Sequence, residues 1–477
     1  MPHNTITKTE EPVIPAPAAP RVTIWPMVAL CIVMANTFWL YLCLSHRLYL
    51  LNPVWIYLRT YVILFGFYAY AAGRIVPGIP SKHQKYALIV ILLGGIAFRL
   101  IALPSDPSLS TDMYRYVWDG RLTTHGINPY RWAPNASTLR HLRDPIWDAM
   151  EYKAYQTIYM PVSQIVFAVC NAIFHNNLTG YKLVYTLFDL GIIGLLLVML
   201  RSMGRSLLQV IWYAWCPLPI TEVSIAGHQD VAGVFFMMLA FVLLMRKQTV
   251  LGAVMLVCAV LTKGFALMLL PLMARNYGKK FALAAAVSLI YLGMPLWVYL
   301  PQFMHGMTQY LDTVNVNSSL YNWSNIALSH LTPWHQQIAN KLSDLAILAV
   351  AAWAAWRPAE NYADILRRSF IVMSVILMVV PTLFPWYLVW VLPFFPLVGK
   401  RPSWAFLVLV CTIGLLYTYY ISIKPLWWTP ILEYVPFYLI LVWEYAWWRL
   451  GRDPFAFLRD WWTSPHRRRD ASSPRTT

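Results

Sequence analysis

The sequence is poor in charged residues. Asp, Glu, Lys and Arg make up only 12% of its 477 residues, whereas hydrophobic residues make up 59%. Soluble domains usually carry about 25% charged residues. A water-soluble fold cannot bury this much apolar chain. The composition therefore excludes an ordinary globular protein and indicates that a lipid bilayer is part of the solvent.

Acidic residues are especially scarce, with 20 against 37 basic ones, which gives a formal net charge of +17. The excess positive charge does not form a patch of the kind that binds nucleic acid. It lies at the ends of hydrophobic segments, as expected for cytoplasmic membrane anchors, and we expect membrane lipids and no nucleic acid as partners. The residues concerned are Lys82, Lys85, Arg201, Arg205, Arg246, Lys247, Arg275, Lys279, Lys280, Arg367, Arg368, Lys400, Arg401, Arg467, Arg468 and Arg469.

The cysteines do not occur in pairs, and we expect no cleavable leader. The six cysteines all lie in apolar stretches without a Cys-x-x-Cys pair, which argues against a disulfide framework or a zinc site. Residues 1–21 lack the basic start of a signal peptide. We interpret residues 1–21 as a disordered cytoplasmic tail and 451–477 as a basic tail on the inner membrane surface.

Apolar segments are abundant and recur throughout residues 22–450. A membrane crossing takes about 20 such residues, and several segments, such as Leu251–Leu261 and Phe265–Met273, are shorter than that. The sequence therefore predicts an all-α polytopic membrane protein with about 12–15 membrane helices or half-helices.

Two polar stretches, about 104–158 and 301–343, interrupt these segments. We expect them to form external loops that carry short surface helices and build the active site. With the amino terminus inside, the positive-inside rule places 104–158 outside. The following segments do not decide on which side Gly227–Asp230 lies.

The first polar stretch contains a candidate catalytic helix between Ser110 and Arg121. Helical spacing places Asp112, Arg115, Tyr116 and Asp119 on one face. A carboxylate there could act as a general base and the guanidinium could bind a phosphate. Alternatively, Asp112, Arg115 and Asp119 simply pair with one another on a surface helix. The helix dipole lowers the basicity of a carboxylate in the first turn, which favours Asp119 over Asp112.

Further candidates follow along the chain. Asn128, Tyr130 and Trp132 lie in a turn that could line a sugar site or could be a rigid loop only. Ionisable groups near membrane depth are usually functional, which singles out Glu222, His228, Asp230 and Lys263. Trp386 and Tyr387 could line the site or serve as an interfacial aromatic anchor.

These motifs together resemble bacterial polyprenyl-phosphate-mannose-dependent mannosyltransferases of the GT-C superfamily. The matching elements occur in the same order and span most of the chain. They are Asp112-Met-Tyr-Arg-Tyr-Val-Trp-Asp-Gly-Arg121, Gly126-Ile-Asn-Pro-Tyr130, Tyr159-Met-Pro161, Gly227-His-Gln-Asp230, Thr262-Lys263 and Pro385-Trp-Tyr-Leu-Val-Trp390. The chain departs from the family pattern at Met160, where the family has proline, and at Gln229, where it has asparagine.

The resemblance implies a GT-C-like bundle in a bacterial inner membrane, with the active site facing outside. It implies transfer of a hexose, mannose first, from a polyprenyl-phosphate donor to a lipid or glycan acceptor, with inversion. We expect no cofactor, although the sequence does not exclude a divalent metal. The rival interpretations are a secondary transporter or lipid-linked-sugar flippase, which the absence of two matching halves disfavours, and a non-catalytic scaffold.

The resemblance also assigns roles to residues. Asp112 occupies the position of the catalytic base, and Asp119 is the second candidate. For the donor phosphate and sugar the candidates are Arg115, Arg121, His228, Asp230 and Lys263. The residues expected to line the sugar and acceptor site are Tyr116, Asn128, Tyr130, Trp132, Trp386 and Tyr387.

Overall fold

The computed structural model describes residues 24–47, 53–314, 316–399, 402–418 and 428–450. Within these ranges the chain is helical and contains no strand, which confirms the predicted all-α class. The predicted tails, 1–21 and 451–477, lie outside the described residues.

The helices follow one another with short connections. They are α1 Trp25–Arg47, α2 Pro53–Tyr70, α3 Gln84–Ala102, α4 Asp112–Thr124, α5 Pro145–Ala149, α6 Pro161–Phe174, α7 Leu178–Ser202, α8 Ile211–Ala214, α9 Pro217–Pro219, α10 Asp230–Met245, α11 Thr249–Val260, α12 Leu270–Trp297, α13 Leu300–Thr313, α14 Leu320–Ser329, α15 His335–Ala355, α16 Tyr362–Val379, α17 Trp404–Thr412 and α18 Thr429–Arg449.

Six helical segments in the described ranges are long and apolar enough to cross a membrane, which supports the polytopic interpretation. They are Trp25–His46, Val54–Gly78, Ser81–Ala102, Leu178–Ser202, Gly264–Trp297 and His335–Ala355. Shorter apolar helices lie between them, as the short apolar segments of the sequence predict. They are Pro161–Phe174, Asp230–Met245, Thr249–Val260, Pro385–Phe394 and Trp404–Thr418.

One break between short helices has a direct bearing on function. α11 ends at Val260, and Lys263 then adopts an extended conformation with φ −155° and ψ 131°. The chain resumes as a tight helical turn at Gly264 and continues into α12. The break places a lysine where its side chain can leave the apolar helix surface and meet a charged partner.

The helix α4 is confirmed, but it does not lie on a surface as the sequence suggested. Its residues from Arg115 to Leu122 are buried, together with Met113. α4 approaches α6 so closely that a Cβ on Gly120 would lie 2.4 Å from the carbonyl oxygen of Phe167. The spacing of polar residues showed one helix face, but it could not show that a second element covers that face.

The second polar stretch is also helical. It contains α13 and α14 and the first turns of α15. α13 lies against the first polar stretch, because a Cβ on Gly306 would lie 2.8 Å from the carbonyl oxygen of Gln156. The two polar stretches therefore meet, as a shared site between them requires.

A buried ion pair connects the helices beneath these stretches. Arg99 Nε of α3 donates to Asp189 Oδ2 of α7 over 2.7 Å, and both side chains are completely buried. Arg99 Nη1 donates to the carbonyl oxygen of Ala214 over 2.7 Å, and the Tyr213 hydroxyl donates to Asp189 Oδ1 over 2.6 Å. Removing one partner of such a pair leaves an uncompensated charge.

Replacing this carboxylate is expected to destabilise the bundle. In an Asp189→Asn variant the Arg99 guanidinium stays buried without a counter-charge, which costs about 3–5 kcal/mol. The melting temperature of the detergent-solubilised protein should fall clearly below that of wild type. Asp344→Asn, at an exposed carboxylate of α15, is the control and should melt like wild type. Equal melting of the two variants would show that the ion pair does not hold the bundle together.

Candidate functional site

A cavity of about 340 Å³ lies where the two polar stretches meet. Its walls come from the start of α4, the segment after α5, the end of α13 and the turns near Trp386 and Tyr417. The lining residues are Ser110, Thr111, Asp112, Arg115, Glu151, Tyr152, Tyr155, Gln156, Ile158, Tyr159, Tyr310, Thr313, Val314, Val316, Phe384, Trp386, Leu416 and Tyr417.

Asp112 begins α4 and lines the cavity. Its backbone N–H donates to Ser110 Oγ over 3.2 Å, and its Oδ2 accepts a long 3.5 Å hydrogen bond from the Tyr116 hydroxyl. Among the described residues it forms no ion pair. Burial raises the pKa of this carboxyl, although the nearby charges of His228 and Lys263 act in the opposite direction.

Tyr116 lies one helical turn after Asp112 and contacts its carboxylate. Its ring is buried and stacks on Phe167 with centroids 4.7 Å apart and planes at 14°. It does not line the cavity. It contacts the site through its hydroxyl, which reaches Asp112, and through an edge-on ring contact with the cavity-lining Tyr159.

Arg115 pairs with Asp119 and not with Asp112. Arg115 Nε donates to Asp119 Oδ1 over 2.9 Å, and Nη2 donates to the carbonyl oxygen of Tyr155 over 3.3 Å. Asp119 Oδ2 accepts from Thr157 Oγ1 over 2.5 Å and from Gln164 Nε2 over 3.0 Å. Asp119 is completely buried and does not line the cavity. The geometry gives Asp119 the task of anchoring Arg115, whose side chain lines the cavity.

The Gly227–Asp230 turn packs directly on α4. Gly227 has φ +79°, and a Cβ there would lie 2.0 Å from Met113 Sδ. Glycine suits this position best, because another residue would be strained at this φ and its Cβ would require the Met113 side chain to shift. The contact brings His228 and Asp230 within electrostatic reach of Asp112.

Lys263 and Asp230 form an ion pair at the end of the Gly227–Asp230 turn. Lys263 Nζ lies 2.6 Å from Asp230 Oδ1, which also accepts from Trp390 Nε1 over 3.1 Å. The same ammonium lies 3.5 Å from the centre of the Tyr387 ring. The predicted Lys263, Asp230 and Tyr387 are therefore in direct contact.

His228 is held between an aromatic ring and a carboxylate. Its ring stacks on Trp386 at 3.7 Å and 13°, and Trp386 stacks in turn on Phe384 at 4.4 Å and 4°. His228 Nδ1 lies 3.2 Å from Glu222 Oε2, which accepts from the Tyr417 hydroxyl over 2.8 Å. Trp386 and Tyr417 line the cavity, so the Glu222–His228 pair lies immediately behind its wall.

Four further predicted site residues do not line the cavity and make structural contacts. Arg121 donates to Asp144 Oδ2 over 2.7 Å and to Asn176 Oδ1 over 2.9 Å. Asn128 Nδ2 donates to the carbonyl oxygen of Pro295, the Tyr130 hydroxyl donates to that of Tyr159, and Trp132 lies beside Arg131. Binding roles for Arg121, Asn128, Tyr130 and Trp132 stay predictions without support from the cavity geometry.

Several cavity residues were not among the predicted ones. Tyr310 and Thr313 are three residues apart in α13, and this helical spacing was the available signal. Tyr152 and Tyr155 lie outside the helices, and no local pattern marked them. Their convergence depends on how α13 packs against the first polar stretch, which the sequence does not show.

The described residues contain no group of three His, Cys, Asp or Glu side chains placed to hold a metal ion. The expectation that the reaction needs no metal stays a prediction.

Comparison with known proteins finds one family that the chain matches. The sequence model of a family described as Alpha-(1->6)-mannopyranosyltransferase, N-terminal domain, matches residues 28–278, which is more than half of the chain. The matched range includes Asp112, the Gly227–Asp230 turn and Lys263. No curated protein and no solved structure matches the chain.

A methyl group on Gly227 is expected to loosen the contact between its turn and α4. Gly227→Ala meets Met113 and forces an L-residue into positive φ, which should lower the free energy of unfolding by about 1–3 kcal/mol. Adding Met113→Ala removes the steric part, so the double variant should lose less stability than the sum of the two single variants. Thermal melting of the four proteins tests this coupling, and strict additivity would show that the two residues do not press on each other.

Proposed function

Since the chain belongs to the alpha-(1->6)-mannopyranosyltransferase family, we propose that it transfers mannose from a polyprenyl-phosphate donor to a lipid or glycan acceptor. Family membership makes it a glycosyltransferase and favours this over the transporter and flippase interpretations. The observation that carries the proposal is the placement of Asp112, without an ion-pair partner among the described residues, in the cavity wall beside Lys263 and His228.

Asp112 is the proposed general base. Its carboxylate lines the cavity, and the raised pKa makes it a better proton acceptor than an ordinary aspartate. The helix dipole acts in the opposite direction at this first-turn position. The upward shift of the Asp112 pKa comes mainly from burial. Asp119 is the weaker candidate, since hydrogen bonds occupy both of its oxygens.

The reaction is a single displacement. Asp112 accepts the proton of an acceptor hydroxyl, whose oxygen attacks the anomeric carbon of the donor mannose. The bond between that carbon and the phosphate oxygen breaks, and the polyprenyl phosphate leaves with the electron pair. This displacement inverts the anomeric configuration, so an α-linked product requires a β-linked donor.

The departing phosphate gains negative charge and needs nearby cations more than it needs a proton. Lys263 is held in place by Asp230 and by the Tyr387 ring. Arg115 reaches the cavity with its guanidinium anchored by Asp119. We assign the phosphate to Arg115, which lines the cavity, and to Lys263, which does not line it but lies close enough for its charge to act on Asp112.

The proposal also implies where the polyprenyl chain and the active site lie relative to the membrane. The polyprenyl chain would lie along apolar helix surfaces, where each buried methylene contributes about 0.8 kcal/mol. The charge bias of the first segments supports an external position of residues 104–158, so the site would face the exterior of a bacterial inner membrane.

The decisive assay compares mannose transfer by wild type and Asp112→Asn. Membranes containing each protein at equal level would be incubated with radiolabelled polyprenyl-phosphate mannose and a crude acceptor fraction. Loss of the base should reduce transfer about 10²- to 10⁴-fold. Asp148→Asn, at an exposed carboxylate of the same polar stretch outside the cavity, is the matched control and should transfer normally.

Other outcomes of this assay are informative. Transfer by Asp112→Asn at the wild-type rate would move the base to Asp119 or Asp230. No transfer by wild type would first call for polyprenyl-linked glucose, galactose and arabinose. Failure with all of these donors would refute the proposed function.

The pH dependence of transfer should report on Asp112. The carboxylate must be unprotonated to act, so kcat/KM should fall as the pH drops through its pKa. That fall should occur above the ordinary aspartate value of about 3.9. In Tyr116→Phe a hydrogen bond that lowers this pKa is lost, so the acid limb should move to higher pH.

The control is Tyr68→Phe, which removes a buried hydroxyl that donates to the Trp212 carbonyl oxygen far from the cavity. Its pH profile should match that of wild type. An acid limb that stays in place or moves to lower pH in Tyr116→Phe would contradict the assignment of Asp112 as base.

A further inference from the structure

One part of the cavity wall has no role in the chemistry above. Tyr152 and Tyr155 stack with centroids 5.8 Å apart and planes at 24°. Tyr310 of α13 contacts Tyr152 edge-on at 6.0 Å and 76°, and Glu151 lines the cavity next to them. These four residues form what we call the tyrosine wall.

The backbone at Tyr152 is unusual. Its φ is +51°, in the left-handed region that large side chains rarely adopt. Such strain persists only where the surrounding structure imposes it, and it is concentrated at functional sites. The residue is not buried, since 42% of the Tyr152 surface is exposed. The fold thus presents an aromatic ring at the cavity and does not bury it.

The chemistry of the tyrosine wall suits a sugar. A pyranose ring has apolar C–H faces that pack on an aromatic face, whose π-cloud is negative. Its hydroxyl groups need acceptors at the edge of that face, and the exposed Glu151 carboxylate supplies two oxygens. A polyprenyl chain would instead favour a wall without charge. The combination of ring, hydroxyl and carboxylate therefore favours a saccharide over the lipid tail.

The tyrosine wall also lies close to the proposed base. Burial and, next, the negative charge of Asp112 raise the pKa of the Tyr310 hydroxyl. Tyr310 therefore connects Tyr152 to the place where the acceptor hydroxyl must be deprotonated. A sugar stacked on Tyr152 would lie within the same cavity as Asp112.

We propose that the tyrosine wall, formed by Glu151, Tyr152, Tyr155 and Tyr310, is a subsite that binds a pyranose ring of the acceptor. The role of the sugar as acceptor rests on the proposed function, whereas the binding of a sugar does not. The acceptor is thereby a glycan or glycolipid and not a lipid without sugar.

Binding can be measured without turnover. The probe is α-(1→6)-mannobiose, titrated against the purified full-length protein in lipid nanodiscs and followed by saturation-transfer difference NMR. Tyr152→Gly removes the ring and also relieves the positive φ, so weaker binding reports loss of the ring and not added strain. We expect its affinity to fall about three- to tenfold, and Tyr152→Phe to bind like wild type.

Lys247→Gly is the matched control. Lys247 has φ +61° in the exposed turn between α10 and α11, so this variant relieves the same kind of strain outside the cavity. It should bind the disaccharide like wild type. Wild-type affinity in Tyr152→Gly, or no binding by wild type itself, would overturn the subsite.

Kinetics then identify which substrate uses the tyrosine wall. With polyprenyl-phosphate mannose as donor, Tyr152→Gly should raise the KM for the disaccharide about three- to tenfold and leave the KM for the donor unchanged. A higher donor KM with an unchanged acceptor KM would refute the acceptor assignment. If wild type binds the disaccharide through Tyr152 but transfers no sugar, the subsite stands and the proposed function fails.

Discussion

The close contact between the Gly227 turn and α4 is the constraint on which the rest of the site depends. Gly227 presses on Met113 without a side chain, in a backbone conformation that other residues adopt with strain. The contact joins two parts of the chain that are more than a hundred residues apart. It sets Asp112 beside His228 and, through Asp230, beside Lys263. The proposed base and the cations belong to separate elements of the chain, and this contact helps to bring them together.

Two carboxylates on one helix face acquire different properties from their surroundings. Asp119 accepts hydrogen bonds from Arg115, Thr157 and Gln164, and its charge is fully compensated. Among the described residues, Asp112 accepts a single long hydrogen bond, from Tyr116, and it faces the cavity. Enzymes commonly give two neighbouring carboxylates different catalytic roles by placing them in different environments. The difference arises from α6 and the segment before it, which cover Asp119 and leave Asp112 open.

The sequence predicted those features that depend on local pattern. The α4 helix, the break at Lys263 and the all-α membrane fold follow from residue spacing and apolar length. Features that depend on contacts between distant segments were not predictable. The family resemblance placed Arg121 with the phosphate-binding residues, whereas packing turns it toward Asp144. For the same reason the sequence did not predict Tyr310 as a cavity residue, because its position depends on where α13 lies.

The distribution of charge explains why Asp112 stands out. A charge removed from water costs several kcal/mol unless a partner compensates it. Arg99, Arg115 and Lys263 each lie within 2.9 Å of a carboxylate oxygen, so these cations are compensated. Asp112 is different, because among the described residues it has no ion-pair partner and its carboxylate accepts one long hydrogen bond, from Tyr116. Such a carboxylate is stabilised when a hydroxyl group enters and donates to it, and that interaction is the first step of the proton transfer proposed here.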